Sequence, residues 1–407
     1  MIAAQAAAAC RLWHGLEGWR RPVASLGLGA VSLLAMPPFG LWPILALTLP
    51  ALTLLLDGCS RLGDIRERIS AAAMVGWCFG FGYLLPGLYW VGSAFLVEAD
   101  KFAWLMPFAV TLLPAYLAVY FAMAGAAAIV VWRSRPERVL LLAVSLAIAE
   151  WLRGHLFTGF PWNALGYALT IDGNIAQAAS LVGVTSLTFW TVLLLASPVV
   201  LLPDAAGERP KERSWLLPAA ALVVLVTMAA WGAHRLASGP TGDVPGVHLR
   251  IVQPDTPEAE KFVPGSQRRI FDAIKGLSRP AVAQSLAGSD RSVIIWPETP
   301  LNFLLLQSPE ALAEISSLLQ PDSVLLTGVI RREADPADPA RVRFFNSLVA
   351  IGASGEVLAT YDKRHLVPFG EYLPWQGFLG AIGLENLTRT QGGFQLGANP
   401  RWLTAPG

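Results

Sequence analysis

"IIWPETPLNF", residues 294–303, decides how the second half of this chain is read. Val293, Ile294, Ile295 and Trp296 form the β-rich run of a strand covered on both faces, and Pro297 ends its ladder because proline has no N–H to donate. Glu298 therefore stands where the chain leaves a sheet. In open α/β layers that carboxyl end is where ligand crevices form, which favours a site. On this stretch alone a solvated surface carboxylate is an equally good reading.

Working outward, residues 247–363 alternate short β-rich runs with helical ones: "VHLRIVQ", a helix over 266–286, "SVIIW", a helix over 309–319, "SVLLTGVI", "FFNSLVAIG" and "EVLATYDK". This is the pattern of an α/β layered domain, its strands joined by helical crossovers at first and by hairpins later, with "ASGE" (353–356) as a hairpin turn.

The first half is different. The 407 residues are 54% hydrophobic and only 14% charged, with a mean hydropathy of +0.50, too apolar for an ordinary soluble domain. Charge is sparse up to residue 239 and mixed from 240, which sets a boundary near "SGPTGDVPG" (238–246) and two regions, 1–239 and 240–407. Apolar stretches cover 22–36, 42–57, 70–96, 102–132, 138–158, 181–203 and 214–236. The last five reach the ~20 residues that cross a bilayer. The first two are short, and "MPPFGLWP" (36–43) between them has the tryptophan and prolines of an interfacial turn. They read as two spans or as one re-entrant hairpin; counted as two, they make seven.

Alternate loops carry Arg11, Arg20 and Arg21; Arg61, Arg66 and Arg68; Arg133, Arg135 and Arg138; and Arg209, Lys211 and Arg213, whereas the opposite loops carry only Lys101 and Arg153. A bias of twelve to two places the first set, and the N-terminus, in the cytoplasm. Seven crossings then put 240–407 outside. Paired arginines before an apolar core at 20–36 imitate a signal peptide, but further spans follow at once, so the segment reads as an anchor. Cys10, Cys59 and Cys78 all fall in the first region, so 240–407 has no disulfide framework and no thiol nucleophile. No metal site, cofactor or nucleic-acid partner is expected.

"YDKRHLVPFGEYLP" (361–374) supplies the remaining chemistry. Lys363 also follows a strand, and Glu371 lies in a loop shaped by Pro368, Gly370 and Pro374. "WPET" after a strand, followed 65 residues later by this motif, resembles the nitrilase superfamily. On a polytopic membrane region it is similar to the apolipoprotein N-acyltransferases, and "PPFGLWP" and "GFPWNALGY" also resemble stretches of that family. The resemblance implies a helical membrane region carrying an αββα nitrilase-like sandwich, in a bacterial inner membrane with the catalytic domain periplasmic. It implies an acyl chain moved from a phospholipid donor to the terminal cysteine of a diacylated apolipoprotein.

By the same resemblance Glu298 is a general base, Lys363 stabilises the tetrahedral intermediate and Glu371 supports them, while Asn346 and Phe262 lie near bound substrate. The family's nucleophilic cysteine and its final span follow the lysine; neither is found before "PRWLTAPG" (400–407), so the expectation is a C-terminally incomplete and inactive chain. A nitrilase-type amidase and a non-catalytic relative remain as alternatives. A transporter would need ionisable groups inside the spans, and only Glu150 and Arg153, near one end, qualify.

Overall fold

The computed structural model describes residues 12–133, 136–202, 214–239, 242–257, 260–261, 263, 265–279, 291–336, 338–375, 377, 381 and 393–398. Cys10, Arg11, Arg135, Arg209, Lys211, Arg213, Phe262 and the stretches 280–286 and 400–407 lie outside the described residues. The chain divides into two compact units, Met1–Pro240 and Thr241–Gly407.

The first unit is helical: α1 (Arg20–Ser32), α2 (Leu45–Ser60), α3 (Ile65–Gly87), α4 (Met106–Val130), α5 (Glu137–His155), α6 (Val184–Ala196) and α7 (Leu216–Ala237). Among the described residues six helical segments are long and apolar enough to cross a membrane: Trp42–Ser60, Ile65–Gly87, Ala99–Val130, Glu137–Thr158, Val184–Leu201 and Leu216–Ala237. The stretch expected at 22–36 is the shorter helix α1, prolonged to Ala35 by one 3₁₀ turn.

Glycine sets the helix contacts. A β-carbon on Gly76 would sit 2.2 Å from the Phe121 carbonyl oxygen, and one on Gly125 would sit 2.4 Å from that of Ala72, so α3 and α4 meet backbone to backbone. Gly29 and Gly82 bring α1 equally close to α3. Among the described residues, Arg21 and Arg138 meet the end of α2, at Cys59 and Asp57. There Asp57, fully buried, accepts a hydrogen bond from the Trp132 indole (2.8 Å) and lies 3.4 Å from Arg138 Nε and 3.6 Å from His14 Nε2.

At the other end of α5, Glu150 accepts from the Leu165 N–H and Arg153 donates to the carbonyls of Phe160 and Trp162, so one i,i+3 pair holds the "GFPWNALGY" loop. Asp57 is an ionisable group that the apolar reading of 42–57 passed over.

Among the described residues of the second unit, five strands form one sheet in the order β1 (Val247–Ile251), β2 (Arg291–Ile295), β3 (Ser323–Asp335), β4 (Asp338–Ile351) and β5 (Val357–Asp362). The first three are parallel and the last three antiparallel. Helix α8 (Ser266–Ser278) precedes β2 and α9 (Pro309–Ser316) precedes β3. Buried Ile270, Phe271, Ile274 and Ser278 recur at helical spacing, and the first three pack with Ile315 of α9 against Ile294, Leu325 and Val349 of the sheet. Lys275 of α8 pairs with Glu314 of α9.

Three boundaries differ from expectation. The helix expected to reach 286 ends at Ser278, because Arg279 is extended, as the residue before a proline prefers to be. The helix expected to reach 319 ends at Ser316. Strands β3 and β4 run much further into their hairpin than "SVLLTGVI" and "FFNSLVAIG", with Glu333 opposite Arg343 in register and 3.8 Å away.

Candidate active site

Each site residue is delivered by a strand end or by a loop tied to one. Beyond β2 the parallel pairing runs on for a residue, with the Trp296 N–H donating to the Leu326 carbonyl at 2.9 Å. The Trp296 indole donates to Ser278 Oγ at 2.7 Å, fixing the strand end to α8. The chain then turns sharply: Thr299 has φ +44°, a costly conformation for a β-branched residue and one often found at functional sites. Gly328 of β3 lies under this turn. A β-carbon there would fall 2.6 Å from the Thr299 nitrogen and 2.8 Å from the Glu298 α-carbon, so only glycine lets the turn settle onto the sheet.

From the antiparallel side, Ser347 pairs with Asp362 across β4 and β5, and the Lys363 N–H donates to the Asn346 carbonyl at 2.8 Å. Side chains alternate along a strand, so Asn346 and Lys363 share one face while Ser347 and Asp362 share the other. On that other face Arg331 grips Asp362 with two bonds (3.0 and 2.8 Å) and Ser347 adds a third (2.6 Å). This anchors the residue next to Lys363.

Glu371 is held in its loop by reciprocal bonds with Val367: its own N–H donates to the Val367 carbonyl (2.8 Å), and its Oε2 accepts from the Val367 N–H (2.7 Å). Residues 393–398 brace the arrangement, with the N–H groups of Phe394, Gln395 and Gly397 donating to the carbonyls of Glu371, Phe344 and Lys363.

These elements bring four side chains into one ring. Asn346 Nδ2 donates to Glu298 Oε1 and to Glu371 Oε1, both at 2.6 Å. Lys363 Nζ donates to the same two oxygens at 3.1 and 3.0 Å. Access is graded across the ring: the side chains of Glu298, Lys363 and Glu371 are 63%, 30% and 12% exposed. Among the described residues none donates to Glu298 Oε2, which leaves one carboxylate oxygen open for a proton.

Burial pushes the Glu298 carboxyl up, but the bonds from Asn346 and Lys363 and the charges of Lys363 and Lys261 outweigh it and hold the group below the usual glutamate value. For Lys363 burial works against the charge, while the two carboxylates prevail and raise it above the ordinary lysine value. The site thus keeps a carboxylate and an ammonium side by side over a wide pH range. Such a pair can take a proton from a nucleophile and stabilise an oxyanion.

Glu298, Lys363, Glu371 and Asn346, the residues singled out in the sequence, are all in this ring. Asn346 touches both carboxylates, a placement suited to fixing them in position. Phe262 lies outside the described residues. Sequence reading passed over Gly328 and Lys261. The backbone of Lys261 is tied to the site's own motif, since Asn302 Nδ2 donates to the Lys261 carbonyl at 2.6 Å and to Ser266 Oγ at 3.0 Å. Asn302 lies inside "IIWPETPLNF", so a signal for that tie was present.

Comparison with known proteins covers both units. Residues 28–197 match the apolipoprotein N-acyltransferase N-terminal domain, a span that includes the prolines of "PPFGLWP" and the whole of "GFPWNALGY". An apolipoprotein N-acyltransferase of Rhodopseudomonas palustris is 47% identical over 390 residues, covering 96% of this chain and 72% of that protein. One from Bradyrhizobium diazoefficiens is 45% identical over 392 residues, with the same coverage. One from Brucella suis is 40% identical over 387 residues, covering 94% of this chain and 71% of that protein. With a multi-pass helical region followed by a nitrilase-like mixed-sheet domain, and with relatives of this identity along nearly its whole length, the chain belongs to the apolipoprotein N-acyltransferase family.

Proposed function

We propose that Glu298, Lys363, Glu371 and Asn346 are the base-and-cation half of a site that moves a fatty acyl chain from a phospholipid to the N-terminal cysteine of a diacylated apolipoprotein, through a thioester. The observation that carries this reading is the ring in which one ammonium and one amide are shared by two carboxylates, with no donor to Glu298 Oε2 among the described residues. In the first half-reaction Glu298 takes the proton of a thiol, whose sulfur attacks the phospholipid ester carbonyl. The oxyanion is met by the third N–H of Lys363, and collapse expels the lysophospholipid alkoxide, which recovers the proton from Glu298. In the second, the apolipoprotein amine attacks the thioester, loses its proton through Glu298, and leaves an amide with the thiol restored. Glu371 and Asn346 hold the base and the cation in place, and Phe262 contributes to substrate binding.

Residues 240–407 contain no cysteine, and the chain spans 72% of the length of its relatives, so the 407 residues by themselves are not expected to form the thioester. Their assembled ring favours the acyltransferase over a non-catalytic relative, and the membrane region, which lets two lipid-borne substrates arrive laterally, favours it over a soluble amidase.

The orientation belongs to the same proposal: a bacterial inner membrane, N-terminus cytoplasmic, residues 240–407 periplasmic. The seventh crossing is the stretch that starts with α1: Arg21 donates to the Cys59 sulfur (3.7 Å), Ser25 lies beside Val75, and Leu33, in the following turn, reaches Gly87 at the end of α3. At 1.5 Å per residue the 13 residues of α1 rise about 20 Å, against about 35 Å for the 23 of α3, so α1 runs beside only part of that helix. The test is to incubate membranes with a labelled phospholipid and a diacylated lipopeptide, using the 407-residue chain and a version extended to the relatives' length. Covalent label on the extended protein alone supports the reading; label transferred by the 407 residues overturns it.

A further inference from the structure

The phospholipid donor of the proposed reaction brings a charge that the ring does not match. Glu298 and Glu371 set two carboxylates against Lys363, and Lys261, whose charge also acts on Glu298, offsets the second. The donor carries a phosphodiester anion one glycerol away from its reacting ester. That anion needs a further cation, placed several ångströms from the base and on the face of the sheet that carries the ring.

The β3–β4 hairpin supplies one. In its register Ile330 lies opposite Asn346 and Arg332 opposite Phe344. Side chains alternate along a strand, so Arg332 and Phe344 stand on the same face as Asn346 and Lys363. Their rung is two residues further out than Asn346, about 7 Å along the strand. Gly328, two residues inward from Ile330, lies under the turn of Glu298, so the turn, the ring and Arg332 follow one another along that face. The hairpin's other arginines are engaged elsewhere. Arg331 and Arg343 stand on the opposite face, the first bound to Asp362 and Glu333 and the second 3.8 Å from Glu333, while Arg341 lies 3.4 Å from Asp338. Arg332 is exposed, and among the described residues no ion pair holds it; beside it Ile330, Val342 and Phe344 are apolar and half-buried.

Resting on the reading of the site as a phospholipid acyltransferase, we infer that Arg332 binds the phosphate of the donor, with Ile330 and Phe344 beneath the glycerol that joins the phosphate to the ester at Glu298. A guanidinium presents a planar fork to two phosphate oxygens and makes charge-assisted bonds to both. The lipopeptide acceptor has no phosphate, so this cation serves the donor. Recognition at the phosphate makes the site tolerant of whatever group lies beyond it and selective against a lipid that has none. Arg332 acts on donor binding and takes no part in the proton transfers.

The test follows thioester formation in the protein extended to the relatives' length, in neutral detergent, against the concentration of dimyristoyl phosphatidylglycerol, dimyristoyl phosphatidylethanolamine or dimyristoylglycerol, and then transfer against the concentration of a diacylated lipopeptide. Arg332→Gln should raise the half-saturating concentration of both phospholipids about tenfold, the scale of losing one charge-assisted bond, and leave the saturating rate unchanged. Dimyristoylglycerol, which has the same ester and no phosphate, should react equally well with both proteins, a contrast that a purely structural role would not produce. Arg332→Lys should recover part of the loss, since a point charge remains without the fork. Arg341→Gln, on the opposite face of the hairpin, should change neither constant. An unchanged half-saturating concentration in Arg332→Gln, an equal rise for dimyristoylglycerol, or a rise for the lipopeptide in place of the donor would overturn the inference and leave the acyltransferase reading standing. An extended protein that forms no thioester from any of these lipids would overturn that reading and the inference with it.

Discussion

Replacing Glu371 by glutamine is the sharpest perturbation of the ring, because it keeps the shape of the side chain and removes its charge. Glu371 accepts three hydrogen bonds, from Asn346, Lys363 and the Val367 N–H, and is 12% exposed. A glutamine can still accept from Asn346 and Lys363 through its oxygen, but its NH₂ then faces the Val367 N–H, donor against donor. One charge-assisted bond is lost outright, worth about 1.5–3 kcal/mol, and the partly buried Lys363 loses one of its two counter-charges. Solvent reaches Lys363, so the second loss counts for less than in a sealed interior. Together the cost is about 2–4 kcal/mol for the loop and the lysine, a ~30- to 1,000-fold rise in local opening at 1.36 kcal/mol per factor of ten. Hydrogen exchange of the peptide covering 364–373 should accelerate by that factor, while the β3–β4 ladder from Gly328 to Val349 keeps its protection. Exchange of 364–373 within threefold of the wild type would refute the view that Glu371 holds this loop and lysine in place.

Gly328→Ala should destabilise the second unit by about 1–3 kcal/mol, the usual cost of overpacking, with the change in exchange centred on Glu298 and Thr299; a melting temperature unchanged within error would contradict the close approach of the two backbones. Glu298 should titrate below the usual glutamate value when followed by carboxyl carbon NMR. Since its folded value is depressed, its contribution to stability is fully present above the unfolded value and disappears as pH falls through the folded one. Lys363 behaves oppositely: its contribution is present below the unfolded lysine value and is lost as pH rises through the raised folded one. Gly76→Leu should separate α3 from α4 and lower resistance to unfolding in detergent by at least about 2 kcal/mol, whereas Gly63→Leu, in a turn at the unit's surface, should not.

The parallel half of the sheet was legible because buried parallel strands read as short apolar runs with abrupt ends, and because Pro297 marks the exit of one of them. The β3–β4 hairpin was legible only at its root. Its outer part, Arg331 to Arg343, is rich in charges and prolines and looks like a loop, and it is a strand pair because Glu333 and Arg343 meet across the ladder, a relation between residues ten apart that has no period to reveal it. The same limit applies to the site. Glu298 and Lys363 were each recognisable as residues at strand ends, yet their meeting depends on β4 lying between β3 and β5 and on the register that sets Asn346 beside Lys363. Gly328 was invisible, since a glycine in a β-rich run announces a close approach without saying to what. Asp57 escaped because one carboxylate at the end of an apolar stretch resembles a boundary, and only packing brings Arg138, His14 and Trp132 to it.

The central claim is that Glu298 is the base of an acyl transfer for which Lys363 supplies the cation. The measurement that tests it most directly is the rate of thioester formation from labelled phospholipid in the protein extended to the relatives' length, with Glu298 and with Glu298→Gln. Glutamine keeps the bond from Asn346 but cannot take the proton, so the rate should fall by about 10²- to 10⁴-fold while phospholipid binding is retained. A Glu298→Gln protein that forms the thioester at the wild-type rate would contradict the assignment.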